Sequence, residues 1–289
     1  MPYRSLADVA AETQSELLAG LVPYFTSNNE LLTWLDSEVI DRPSVTINRV
    51  EDIGSAGPLA CNTSIESEAI SAGPAEFNLK QFYRAFDVCG QTESAMGNKA
   101  FVDEVGENLA GAAQALGDLI ASQIVLGNGA GTNILGFDSI VTNSFAIDGA
   151  NTTLSDLDAL IDAVDFKSGK MAFVANKATR RNIKRLLNEE GDKTRVELAD
   201  NMFVPGYEGI PMLAHTAVPN GQIYLINGDK NLRGSYMIYG DRPGDVLAPF
   251  RLVDVGWRET SDRRQWRLIV QAAVVTKSTQ SLARLTGVN

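Results

Sequence analysis

FVDEVGENLAGAAQALGDLIASQIVLGNGAGTNILGF, residues Phe101–Phe137, runs from a long apolar-periodic stretch into a glycine-rich turn, and the order of those two halves decides how the chain is read. From Ala100 to Leu126 there is no proline, and Val102, Val105, Leu109, Ala112, Leu116, Leu119 and Ile124 recur at close to helical spacing. One amphipathic helix is expected there, about 40 Å long at about 1.5 Å per residue. Gly106, Gly111 and Gly117 lower its intrinsic propensity, so its stability has to come from a layer packed along it. The turn reads Gly127, Asn128, Gly129, Ala130, Gly131, Thr132 without the Lys of a phosphate-cradling loop. A dinucleotide-binding turn needs a strand before its glycines and a helix after them, and here the helix comes first. The glycines therefore read as a corner that ends the helix and redirects the chain.

The chain has 289 residues, 44% hydrophobic and 21% charged, enough for one large or two modest cores. No stretch is read as a membrane span of about 20 apolar residues, and residues 1–14 lack the apolar centre of a secretory signal, so an intracellular chain with no membrane partner is expected. Cys61 and Cys89 are too few for a disulfide framework and lack zinc spacing; they read as free thiols. The net charge of -11 is unevenly spread: residues 1–74 hold 3 basic and 11 acidic side chains, residues 251–289 hold 7 and 3. Between Lys99 and Lys167 there is no Lys or Arg at all. A phosphate at the glycine turn would thus rely on backbone amides alone.

Upstream of the long helix, Ser5 and Asp8 fit a capping box before a first helix that Pro23 ends. Leu31, Leu32, Leu35, Val39 and Ile40 fit a second short helix closed by Asp41, Arg42 and Pro43. Ser44–Asp52 alternates as a strand, and Ala75–Gly90 supplies another with a register shift after Leu79. Some twenty small residues between them are too long for an internal loop, so this hairpin is expected to leave the body as an arm and lie on another copy of the chain. Downstream, Ser155 and Asp158 suggest a capping box, Met171–Asn176 a strand and Lys177–Asn188 a basic helix. Five strands follow: IPMLA, QIYLIN, SYMIYG, RLVDVGWRE and RQWRLIVQAAVVTK, with Leu268–Val275 expected in a buried sheet under the long helix.

Little of this carries chemistry. His215 is the only histidine, which excludes a two-histidine metal site and leaves any nucleophile without a triad; it reads as a strand-end side chain. Asp158, Asp162 and Asp165, Asp103 and Glu107, and Glu189 and Glu190 read as solvated faces, not cation sites. No catalytic residue, cofactor or metal is expected, and the chain is read as a non-enzyme. Basic patches occur at Arg180, Arg181, Lys184 and Arg185, and at Arg258, Arg263, Arg264 and Arg267 interleaved with Trp257 and Trp266. Arg and Trp together stack bases or anchor protein contacts, and the acidic first quarter favours the second role.

The order of these segments resembles the major capsid protein of tailed bacteriophages over nearly the whole chain. LLTWLDSEVIDRP, EFNLKQFYRAFDVCGQTESAMGN, the long helix with its glycine corner, FVANKATRRNIKRLL and GIPMLAHTAVPNGQIYLINGD carry the likeness by order and length, since no single motif is diagnostic. The resemblance implies an α+β fold with an N-terminal arm (1–40), an extended β-hairpin loop (41–91), a peripheral domain with a long spine helix (92–145 and 238–289) and an axial domain (146–237). It implies self-assembly into pentamers and hexamers of an icosahedral virion capsid, formed in the host cytoplasm around double-stranded DNA without sequence-specific binding. Portal, scaffolding and decoration proteins are further partners of such a shell. Glu66 or Glu68 on the loop is expected to approach a basic residue of an adjacent copy, with Arg258, Arg263, Arg264, Arg267, Trp257 and Trp266 as further inter-subunit candidates. Some such capsids cross-link through a loop lysine; this sequence has none from Asp41 to Leu79, so no cross-link is expected. An encapsulin nanocompartment shares the fold and remains open, as does a cytosolic nucleotide-binding protein or enzyme.

Overall fold

The computed structural model describes residues 16–26, 29–52, 71–89, 97–147, 152–164, 170–191, 194–199, 202–241, 249–259 and 261–288. Two sheets and a long helix share the main core. The helix α3 (Gly97–Leu126) follows α1 (Glu16–Thr26) and α2 (Glu30–Trp34) in the chain. Its inward stripe is Leu109, Ala112, Ala113, Leu116, Ile120, Ala121, Ile124 and Val125. Leu119, expected on that stripe, is 44% exposed, because the stripe drifts with the true helical period and passes to Ile120. Against the sequence reading, Glu104–Leu126 is long and apolar enough by length and composition to cross a membrane; half of it is buried as a core helix.

That helix lies on a five-stranded sheet. β1 (Ser37–Ile40), β11 (Ser235–Gly240), β13 (Arg263–Thr276) and β12 (Phe250–Trp257) follow in spatial order, and β4 (Lys80–Cys89) pairs with β13. The long β13 is the axis, antiparallel to β4 along 263–272, to β12 along 264–270 and to β11 along 272–276. Leu268, Val270 and Ala272 to Val275 are buried there, as their apolar run foretells. Phe25 of α1 meets Tyr239 and Phe250 edge-on, at 6.4 and 5.2 Å between ring centroids.

Two expectations about the N-terminal region need correction. Pro23 lies inside α1, not at its end: the helix runs on to Thr26, whose hydroxyl donates to the Val22 carbonyl at 3.0 Å, while Leu21, Val22 and Phe25 anchor it in the core. The second helix stops at Trp34, and β-branched Val39 and Ile40 instead form β1, parallel to β11. The described part of 1–40 is thus built into the core and the sheet.

The hairpin is present as β2 (Ser44–Asp52) and β3 (Ser71–Asn78), antiparallel with a bulge at Val50/Asp52. The expected register shift is a break at Leu79, whose N–H donates to the Pro43 carbonyl at 2.9 Å, after which β4 changes partner to β13. These strands form no freestanding arm: Val50 N–H donates to the Lys277 carbonyl at 3.0 Å, Ser278 Oγ to the Val50 carbonyl at 2.9 Å, and Phe77 is buried in the main core. The tip, including Cys61, Glu66 and Glu68, lies outside the described residues.

The second sheet has seven strands in the order β5 (Asn143–Ala146), β14 (Leu282–Thr286), β10 (Gln222–Asn227), β6 (Met171–Ala175), β9 (Ile210–Ala214), β8 (Met202–Tyr207), β7 (Arg195–Ala199). One face joins the main core through Val174, Leu213, Tyr224 and Ile226. The other forms a second core with α5 (Leu154–Asp162) and α6 (Lys177–Glu189) through Leu157, Leu160, Ile183 and Leu187. The capping box of α5 is Thr153 with Asp156, two residues before the expected pair, with Thr153 N–H donating to Asp156 Oδ2 at 2.7 Å. Of the span 238–289, β12 and β13 belong to the five-stranded sheet, whereas β14 pairs with β10 and β5 in the other.

Candidate functional site

The glycine corner is a hydrogen-bonded turn. Gly127 N–H donates to Gln123 O at 2.8 Å, Gly129 N–H to Ile134 O at 2.9 Å and Gly136 N–H to Gly127 O at 2.8 Å. Asn128 Oδ1 accepts from Ala130 N–H at 3.1 Å and from Asn133 Nδ2 at 2.9 Å. Gly129 and Gly131 have φ of 71° and 57°, the left-handed conformation that favours glycine. A Cβ on Gly136 would stand 2.6 to 2.8 Å from Gln123 O, Gly127 N and Ile124 O. Three of the amides that a phosphate would need already have partners within the turn. Lys80 reaches the loop and donates to the Gly131 carbonyl at 2.7 Å.

Just past the corner, Asp138 in the short helix α4 (Phe137–Ile140) ties the long helix to the seven-stranded sheet. It accepts from Tyr224 Oη at 2.7 Å and from Arg284 Nη1 at 2.6 Å. Burial, then the hydrogen bond to Asp138, push the Tyr224 hydroxyl above the usual phenol range, so it stays a neutral donor. A second tie runs from the N-terminal segment. Glu30 accepts from Arg180 Nη1 at 2.8 and 2.9 Å and from Ala214 N–H at 2.7 Å; Asp36 pairs with Lys170, which sits over the Trp34 ring. Sequence reasoning missed these pairings: Glu30 and Arg180 stand 150 positions apart, and nothing local marks them as partners.

The Arg/Trp candidates gather on the β12–β13 hairpin. Arg258 pairs with Asp87 of β4 at 3.1 Å, and Arg264 is held by Asp254, with Nε to Oδ2 at 3.1 Å, while its guanidinium lies 5.2 Å over Trp266. That guanidinium holds the Asp254 carboxyl below its usual range. Arg267 reaches Gln265 at 3.4 Å; Arg263 is exposed opposite Cys89, and Trp257 is 52% exposed. Two of the four arginines thus have intramolecular carboxylate partners, and the hairpin end presents Trp257 outward.

His215 is buried at the end of β9, with Nδ1 accepting from Ala217 N–H at 3.1 Å. Burial lowers its pKa, which keeps the ring neutral. Asp158 accepts from the Tyr207 hydroxyl at 2.6 Å, Glu189 lies 3.8 Å from Arg185, and Asp165 is outside the described residues. Among the described residues no three His, Cys, Asp or Glu side chains gather as a metal site.

No known family profile matches the sequence, and no curated protein matches it. Solved structures do. The chain is similar to the SrpI encapsulin of Synechococcus elongatus, with a TM-score of 0.71 at 16% identity over 90% of this chain and 87% of that one. It is similar to the capsid of cyanophage A-1(L), with a TM-score of 0.65 at 15% identity over 90% and 93%. A virus-like particle of Pyrococcus furiosus gives 0.58 at 9% identity over 93% and 97%. The chain has the α+β fold that tailed-phage major capsid proteins and encapsulins share.

Proposed function

We propose that this chain is a structural subunit that assembles with copies of itself, as pentamers and hexamers, into a closed icosahedral shell, and that the shell is a tailed-phage capsid around double-stranded DNA. The observation that carries this is the extent of the likeness: about nine-tenths of the chain matches capsid and shell subunits in fold. In this reading the long helix and five-stranded sheet form the peripheral part, the seven-stranded sheet the axial part and β2–β3 the base of the extended loop. Glu66, Glu68 and the Arg/Trp hairpin end serve contacts between copies. The protein is no enzyme and needs no cofactor; portal, scaffolding or decoration proteins would be its partners in a virion assembled in the host cytoplasm.

The stretch between Lys99 and Lys167, free of Lys and Arg, suits an inner lining that does not grip phosphates, since many weak cationic contacts over hundreds of copies would immobilise a genome. A second reading, an encapsulin shell enclosing an enzyme, is favoured by one observation: the encapsulin has the higher TM-score of the two fold matches, 0.71 against 0.65. The test is to isolate particles from their natural source and identify what they hold. Double-stranded DNA is the expected content; a protein cargo without DNA would select the encapsulin, and a soluble monomer that binds nucleotide saturably would refute both.

A further inference from the structure

The helical face of the seven-stranded sheet is divided by charge. Helix α6 exposes Lys177, Arg181 and Lys184, and Arg195 of β7 is exposed beyond them. No carboxylate partner of these four occurs among the described residues, whereas Arg180 and Arg185 of the same helix are held by Glu30 and Glu189. Lys184 and Arg195 line a groove of about 350 Å³ with Leu187, Asn188, Phe203 and Pro205; no carboxylate lines it, and Phe203 is 57% exposed. On the same face of the sheet, α5 carries the exposed carboxylates Asp158 and Asp162, and its own sequence contains no Lys or Arg.

We propose that the α6–β7 basic face is a contact surface for a second copy of this chain, and that it receives that copy's acidic α5 face. This inference rests on the shell reading above. Pairing of the basic face with its own copy would bring like charges together, so the row meets a different patch of its neighbour. In the shell reading that contact is heterologous, and its repetition around a capsomer closes a ring. Opposite potentials set the register of neighbours, and Phe203 supplies an apolar anchor at the end of the basic row.

The experiment uses the full chain in two forms. One reverses the basic face (Arg181→Glu, Lys184→Glu, Arg195→Glu); the other reverses the acidic face (Ala159→Lys, Asp162→Lys) and leaves the Tyr207–Asp158 bond in place. Circular dichroism and thermal unfolding check that each is folded, and light scattering with electron microscopy reads assembly. Each form alone is expected to yield about tenfold fewer particles than the unaltered chain, or less. An equal mixture is expected to recover rings of even membership only, because the two forms must alternate. Wild-type yield from the first form overturns the contact, as does a folded mixture that recovers nothing. Normal assembly with loss of retained DNA would assign the basic row to nucleic acid instead. If the unaltered chain forms shells and the variants do too, only this contact fails; if the unaltered chain stays monomeric, the shell reading fails with it.

Discussion

At Gly117 a missing side chain sets how closely two helices approach. A Cβ there would lie 2.1 Å from the Phe25 carbonyl oxygen, whereas at Gly111 of the same helix it would meet nothing within 4 Å. Gly117→Ala is expected to lower stability by about 1–3 kcal/mol through overpacking. Gly111→Ala should raise it by up to about 1 kcal/mol through helix propensity. Urea unfolding of both variants checks this, and equal effects would refute the close crossing. The sequence shows both glycines and cannot rank them, because the difference lies in a helix some ninety positions away. His215 gives a pH prediction. Its folded pKa is lowered by burial, so the unfolded chain binds the proton more readily. Its contribution to stability is present above the unfolded value of about 6.5 and is lost as pH falls through the folded value. Thermal unfolding between pH 7 and pH 5 should therefore fall more steeply for the native chain than for His215→Gln.

Among the elements, the short N-terminal segment does more than its length promises. α2 and β1 together touch both sheets, and Glu30 is the fastening: it accepts from Arg180 and from the Ala214 amide, with its side chain only 16% exposed. Glu30→Gln should cost about 1.5–3 kcal/mol, the range for hydrogen bonds to a charged group. Glu30→Gln and Arg180→Met together should cost less than the sum of the two, as a double-mutant cycle would measure. Additive losses would mean the pair does not act as a unit. Elements with a strong period were legible: the long helix, the basic helix and the five strands from Ile210 to Thr276 follow their patterns. β1 was not, since Val39 and Ile40 continue a helical spacing and only pairing with β11 makes them a strand. β5, β7, β8 and β14 were missed for a related reason. They are short or lie among polar residues, and their pairing partners supply the signal that their own sequences lack. The hairpin strands were found, but their attachment to Lys277 and Ser278 was not, because it rests on backbone hydrogen bonds that no side chain announces.

On the scale of the whole molecule, two sheets of unequal size are joined through the contacts of Asp138, Glu30 and Asp36, and the helical face of the larger sheet is charged and bears a groove. The order of segments pointed to the capsid fold before any single residue did, because in such a subunit geometry is the function and chemistry is sparse. Lys80 is engaged at the Gly131 carbonyl, and no lysine precedes it on the hairpin from Asp41 onward. Assembled material should therefore run on a denaturing gel as a single band at 31.1 kDa, and a ladder of multiples would show a covalent bond between copies. Electron microscopy of the purified full chain, with mass measured by light scattering, should find closed shells of five- and six-membered rings; a particle that remains at 31.1 kDa at high concentration would contradict the shell reading.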